Sequence, residues 1–110
     1  MLSYPVPVSF HLTYLVPLPV MIEDEHDDLV PALEVGDLSG LPRAERRAVL
    51  LALAAELMLF LGEECALVAR VDLSRTTIVL ERAFRDPHPA FERLVGFCGY
   101  WRDRRAEIAR

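Results

Sequence analysis

The 110-residue chain contains no lysine, no asparagine and no glutamine. All twelve of its cations are arginine. A GC-rich bacterial genome favours Arg, Ala, Leu, Val and Pro codons. Loss of the deamidating amides accompanies high growth temperature, although the missing lysine runs against the usual hyperthermophile pattern. The composition points to a thermophilic bacterium with strong codon bias.

Cysteine is scarce too. Cys65 and Cys98 stand alone, with no C-x-x-C, which excludes a disulfide framework and the common zinc spacings. Isolated thiols on apolar faces are expected to be buried small hydrophobes. Five glycines never form G-x-G-x-x-G or a phosphate loop. Ser9, Ser39 and Ser74 lack a nucleophile-elbow context. The histidines His11, His26 and His88 include no i, i+4 pair, so there is no helical zinc motif. No residue is assigned a catalytic role, and the sequence argues for a non-enzyme.

Excess positive charge is also lacking. The net charge is −5 and the sequence pI is about 5.1, which disfavours generic nucleic-acid binding. The most apolar stretch, residues 48–61, is interrupted by Glu56 and is too short to span a bilayer. The N-terminus lacks the charged-then-apolar layout of a secretory signal. A cytoplasmic, membrane-free protein is the expectation.

What the chain does have is apolar surface. At 53% hydrophobic residues it can build a core without disulfides or metal, as one α+β domain over residues 1–110. Every even position from Val6 to Val20 is apolar, the period of a half-buried strand. Pro5, Pro7, Pro17 and Pro19 are all odd. Alternate N–H groups of a strand point to the same side, so the four missing donors would lie along one edge, and this should be an edge strand. Residues 32–38 form a second extended candidate. A helix is expected from about Pro42 to Leu61, stopped by Gly62, with Val49, Leu50, Leu53, Leu57, Phe60 and Leu61 as its bulky stripe. Residues 65–71 and 76–84 read as a hairpin with Val71 opposite Thr76. A second helix begins after Asp86 and Pro87, with Phe91, Leu94, Val95, Cys98, Trp101 and Ile108 as its buried face.

These elements predict a two-layer α+β sandwich. Three or four antiparallel strands carry two helices on one face, in the order β-α-β-β-α. That is the ferredoxin-like order lacking its last strand. A superfold of this kind hosts unrelated functions and names none of them.

Three functional readings follow. The leading one is a non-catalytic, self-associating interaction module, a homodimer or a binder of another protein. It rests on small-residue faces at Ala48, Ala52 and Ala55 and at Gly96 and Gly99, beside Trp101. The second is a divalent-metal or small-ligand site in the acidic segment 23–28, with Asp24, His26 and Asp28 as ligands, because hard cations seek oxygen and His adds affinity for zinc or manganese. A solvated loop is the plainer account of such a charge run. The third is nucleic-acid association through Arg93, Arg102, Arg104, Arg105 and Arg110, interleaved with Tyr100 and Trp101. Charge is also unevenly spread. Residues 1–42 hold seven carboxylates and no arginine, so an acidic N-terminal third and an Arg-bearing C-terminal helix should attract, within one chain or between two.

Overall fold

Among the described residues, proline, glycine and short polar turns set off seven elements. The structure, a computed structural model, describes residues 8–36, 38–62, 68–81 and 88–108. The elements are α1 (Val8–Tyr14), β1 (Pro17–Glu23), β2 (Leu29–Val35), α2 (Arg43–Leu61), β3 (Val68–Asp72), β4 (Thr77–Glu81) and α3 (His88–Ile108). Pro5, Pro7, Cys65, Asp86, Pro87 and Arg110, each given a part in the sequence reading, lie outside the described residues.

The four strands make one antiparallel sheet in the order β1-β2-β4-β3. The α+β class, the antiparallel sheet and the helix-on-sheet layering match the expectation. The topology adds a strand. From β2 onward the chain runs β-α-β-β-α with the strand order of the ferredoxin-like fold, and β1 stands beside β2, where that fold's last strand belongs. The missing strand is supplied from the N-terminal side, through a tight hairpin.

The opening segment departs from its sequence pattern. Residues 8–14 are a helix, although their alternation suited a strand. Leu15 is buried and Leu12 packs against the core, so a helical turn places both on one side. Val16 precedes Pro17, and the residue before proline is driven out of helical geometry, which ends the helix. Within β1 the parity is also reversed. Pro17, Pro19 and Met21 lie across from Val35, Leu33 and Pro31, which face the helices. The even residues Leu18, Val20 and Ile22 therefore line the opposite face. All six residues from Pro17 to Ile22 are apolar, so the binary pattern could not choose between the faces.

The edge inference holds for Pro17 and Pro19 alone, because with residues 8–14 helical the single strand expected to carry all four prolines does not form. The Val35 N–H donates to the Thr76 carbonyl, so odd residues of β2 bond towards β4 and even residues towards β1. Their partners Leu18, Val20 and Ile22 complete that ladder. The donor-less nitrogens of Pro17 and Pro19 are left on the open edge, where they hinder strand addition.

Helix α2 starts after Pro42, whose carbonyl accepts from the Arg46 N–H at 2.9 Å. It ends at Gly62, which adopts φ +69° while its N–H caps the Met58 carbonyl. A side chain at that φ would be strained. The buried stripe is Val49, Leu50, Leu53, Ala54, Leu57 and Leu61. Phe60, expected inside, is 40% exposed.

The β3–β4 hairpin pairs Val71 with Ile78 and Asp72 with Thr77. This register is two residues from the expected one. A shift of two keeps every side chain on its face, so Ala69 and Val71 still meet Leu80 and Ile78 over the core. Val71 opposite Thr76 would have set Asp72 across from Arg75; instead the two meet within the turn, at 4.0 Å. Asp72 Oδ1 accepts from the Ser74 hydroxyl at 2.7 Å and from the N–H groups of Ser74 and Arg75. That bonding, the Ser74 hydroxyl foremost, holds the Asp72 carboxyl below its ordinary value. Thr76 completes the turn at φ +48°, a costly conformation for a β-branched residue.

Helix α3 buries Ala90, Leu94, Phe97 and Trp101. The sequence stripe was turned by part of a helical step: Val95, expected inside, is 48% exposed, and Phe97, not expected there, is fully buried. Both stripes satisfy a 3.6-residue period. Packing on β1 and β2 selects the second. Among the described residues no helix is long and apolar enough to cross a membrane.

Candidate interaction surface

The site is built where α3 crosses the edge strand. Trp101 Nε1 and Arg105 NH1 both donate to the Leu15 carbonyl, at 3.3 and 3.1 Å. The clamp fixes the start of β1 against the last turns of α3. From there the two elements run in opposite directions, because α3 enters from the end of β4 beside the acidic loop and leaves beside Leu15. Between them lies a cleft of about 280 Å³. Pro17 and Pro19 form one wall, with Leu18 at its rim on the strand edge, Val95, Cys98 and Gly99 form the other, and Arg102 and Arg105 stand at one end. Leu18 and Val16 are each more than half exposed.

The electrostatics of the cleft are one-sided. At about 100° per residue, Asp103 and Glu107 fall about 100° and 140° round the helix from Arg102, away from the cleft. Arg105 is tied to a carbonyl, and Arg102 makes no ion pair among the described residues. Cys98 is half-buried in the wall, and burial pushes its thiol up to about 11. A thiol so placed is protonated at neutral pH and is a poor nucleophile.

The expected interface residues divide. Ala48 and Ala52 are half-buried and Ala55 is exposed, on the outward side of α2. They share that side with Leu51 and with Leu59, which is 79% exposed. Gly96 lies under Phe60, whose ring tip would stand 3.9 Å from an added Cβ. The glycine face thus meets α2 within the chain, through an aromatic side chain. Phe60 also meets Phe97 edge-on at 5.5 Å and stacks on Tyr100 at 5.2 Å. Gly99 lines the cleft. Trp101 is 4% exposed and belongs to the core, where Phe97 stacks on it, so it presents no surface to a partner. The sequence reading did not single out Val16 or Leu18 for a site, and it named Arg102 only for nucleic acid. Only their position beside a strand edge marks them, and that depends on the sheet order.

The acidic segment is the β1–β2 turn. Asp24 Oδ1 accepts from the N–H groups of His26 and Asp28 at 2.8 and 3.0 Å. The Asp24 N–H closes the loop onto the Asp28 carbonyl, and Asp27 takes φ +61°. Asp24 is therefore a turn-capping residue. The His26 side chain lies 3.9 Å from Glu25, with both side chains exposed. Among the described residues no group of three or more His, Cys, Asp or Glu side chains is placed to hold a metal ion. Among the described residues neither His11 nor His88 joins this loop in such a group. His11 lies at the other end, beside Leu38 and Leu41, and His88 begins α3.

The arginine stripe is likewise broken up. Arg104 pairs with Glu56 of α2 at 2.8 Å and also donates to the Tyr100 hydroxyl. With Arg105 on the Leu15 carbonyl, two of the expected phosphate contacts serve the fold instead. The chain matches no protein-family model, no curated protein and no solved structure.

Proposed function

We propose that this chain is a non-catalytic protein-interaction module that self-associates, with the β1–α3 cleft and its flank as the docking surface. One observation carries the reading: after the core is complete, Val16, Leu18 and Val95 remain about half exposed around a cleft that ends in Arg102, which makes no ion pair among the described residues. A contiguous apolar surface rimmed by charge is what protein partners bury. The outward side of α2, with Leu51, Ala55 and Leu59, offers a second apolar row and is the alternative face. The thiol beside the cleft is held protonated, which suits a wall better than a reagent.

Sedimentation of the full chain tests the proposal. A dimer or larger species that dissociates on dilution is the expected result. A strictly monomeric species at high micromolar concentration removes it.

A further inference from the structure

The two charged features of this molecule sit at opposite ends of the same flank. The β1–β2 turn places Glu23, Asp24, Glu25, Asp27 and Asp28 at one end of β1. Arg102 and Arg105 stand beside the other end, held there by the clamp on Leu15. The seven residues of β1 separate them by about 23 Å, far beyond contact. Among the described residues, none of the turn's carboxylates pairs with an arginine. Among the described residues, the attraction between the two charged regions of the sequence thus makes no contact inside one chain.

We infer that the occupant of the β1–α3 flank is a second copy of this chain, docked antiparallel about a two-fold axis beside β1. The acidic turn of each copy then meets Arg102 of the other. This inference rests on the self-association reading and specifies its geometry. A two-fold axis turns one flank end for end against its twin, so one complementary pair of ends gives two identical contacts. The same operation buries Val16, Leu18 and Val95 along the shared flank. Pro17 and Pro19 deny the edge a continuous ladder, so the contact is made by side chains and does not extend into a growing sheet. Closure at two copies follows from the same geometry, because each acidic turn is used once and each Arg102 once.

The test is a charge exchange on the full chain. One variant carries Glu23→Arg and Glu25→Arg. Both residues are exposed, and among the described residues neither bonds to any part of the fold beyond the strand ladder and the His26 contact. The other variant carries Arg102→Glu. Trp101 fluorescence reports whether each remains folded. Each variant alone should self-associate at least about tenfold more weakly than the original chain, because the first cuts the turn's charge from −5 to −1 opposite Arg102 and the second sets the turn against a carboxylate. Mixing the two should restore association as a one-to-one heterodimer, since one contact is again the original turn against Arg102 and the other sets the two introduced arginines beside the introduced carboxylate. Added salt should weaken the original dimer. If the original chain dimerises but the variants dimerise equally well, or the mixture gains nothing, this geometry is wrong while self-association stands, and the α2 row becomes the interface. If the original chain is monomeric, both proposals fall.

Discussion

Replacing Thr77 by valine should stabilise this protein. Thr77 is 3% exposed, on the sheet face away from the helices, and its hydroxyl has no hydrogen-bond partner among the described residues. Its cross-strand neighbours are Glu34 and Asp72, and Asp72 is already engaged by Ser74 and Arg75. An unsatisfied buried hydroxyl costs about 1–3 kcal/mol. Valine has nearly the same shape and an equal liking for strands, so neither packing nor propensity should oppose the change. A gain of about 1 kcal/mol is expected once imperfect fit is deducted. For a chain of this size that raises Tm by about 4 °C. It should also move the urea midpoint by about 0.5–1 M with an unchanged slope. The single tryptophan, Trp101, lies in the core and gives the unfolding signal. Thr77→Ser is the control: it keeps the hydroxyl, removes a buried methyl and should cost about 1 kcal/mol. A valine variant less stable than the original would show that the hydroxyl is bonded, and the reasoning would fail.

Two further expectations follow from the titrating groups. Asp72→Ala should cost about 1 kcal/mol at neutral pH, because the turn loses three hydrogen bonds to one carboxylate oxygen. The folded carboxyl titrates below its ordinary value, so its contribution is present above about pH 4 and is lost as pH falls through the depressed value. The gap between original and variant should therefore close on acid titration, and a gap that is constant with pH refutes the assignment. For Cys98, alkylation in a Cys65→Ser background should be slow near neutrality and should keep accelerating with pH well above 9, towards about 11. A rate that levels off near pH 9 would mean the thiol is not held in the cleft wall.

Much of the architecture could be read from residue order alone. Gly62 ends α2 because only a left-handed residue suits that cap, and Pro17 and Pro19 mark an edge strand because their missing donors share one side. The period of α2 and the apolar alternation of the hairpin placed Leu53, Leu57, Ile78 and Leu80 in the core, since burial at those spacings is a local property. The acidic run was legible as a turn for the same reason: Asp24 caps it with its own side chain. Tertiary structure decided what local spacing leaves degenerate. In 17–22 both faces are apolar, so only pairing with β2 selected which one meets the helices. Along α3 two stripes share one period, and contact with β1 chose Phe97 over Val95 for the core. The candidate surface belongs to this second class entirely. Residues 16–19 and 95–102 are distant in sequence, and only the placement of β1 as an N-terminal edge strand, clamped through Leu15 to Trp101 and Arg105, turns them into one flank with an acidic end and a basic end.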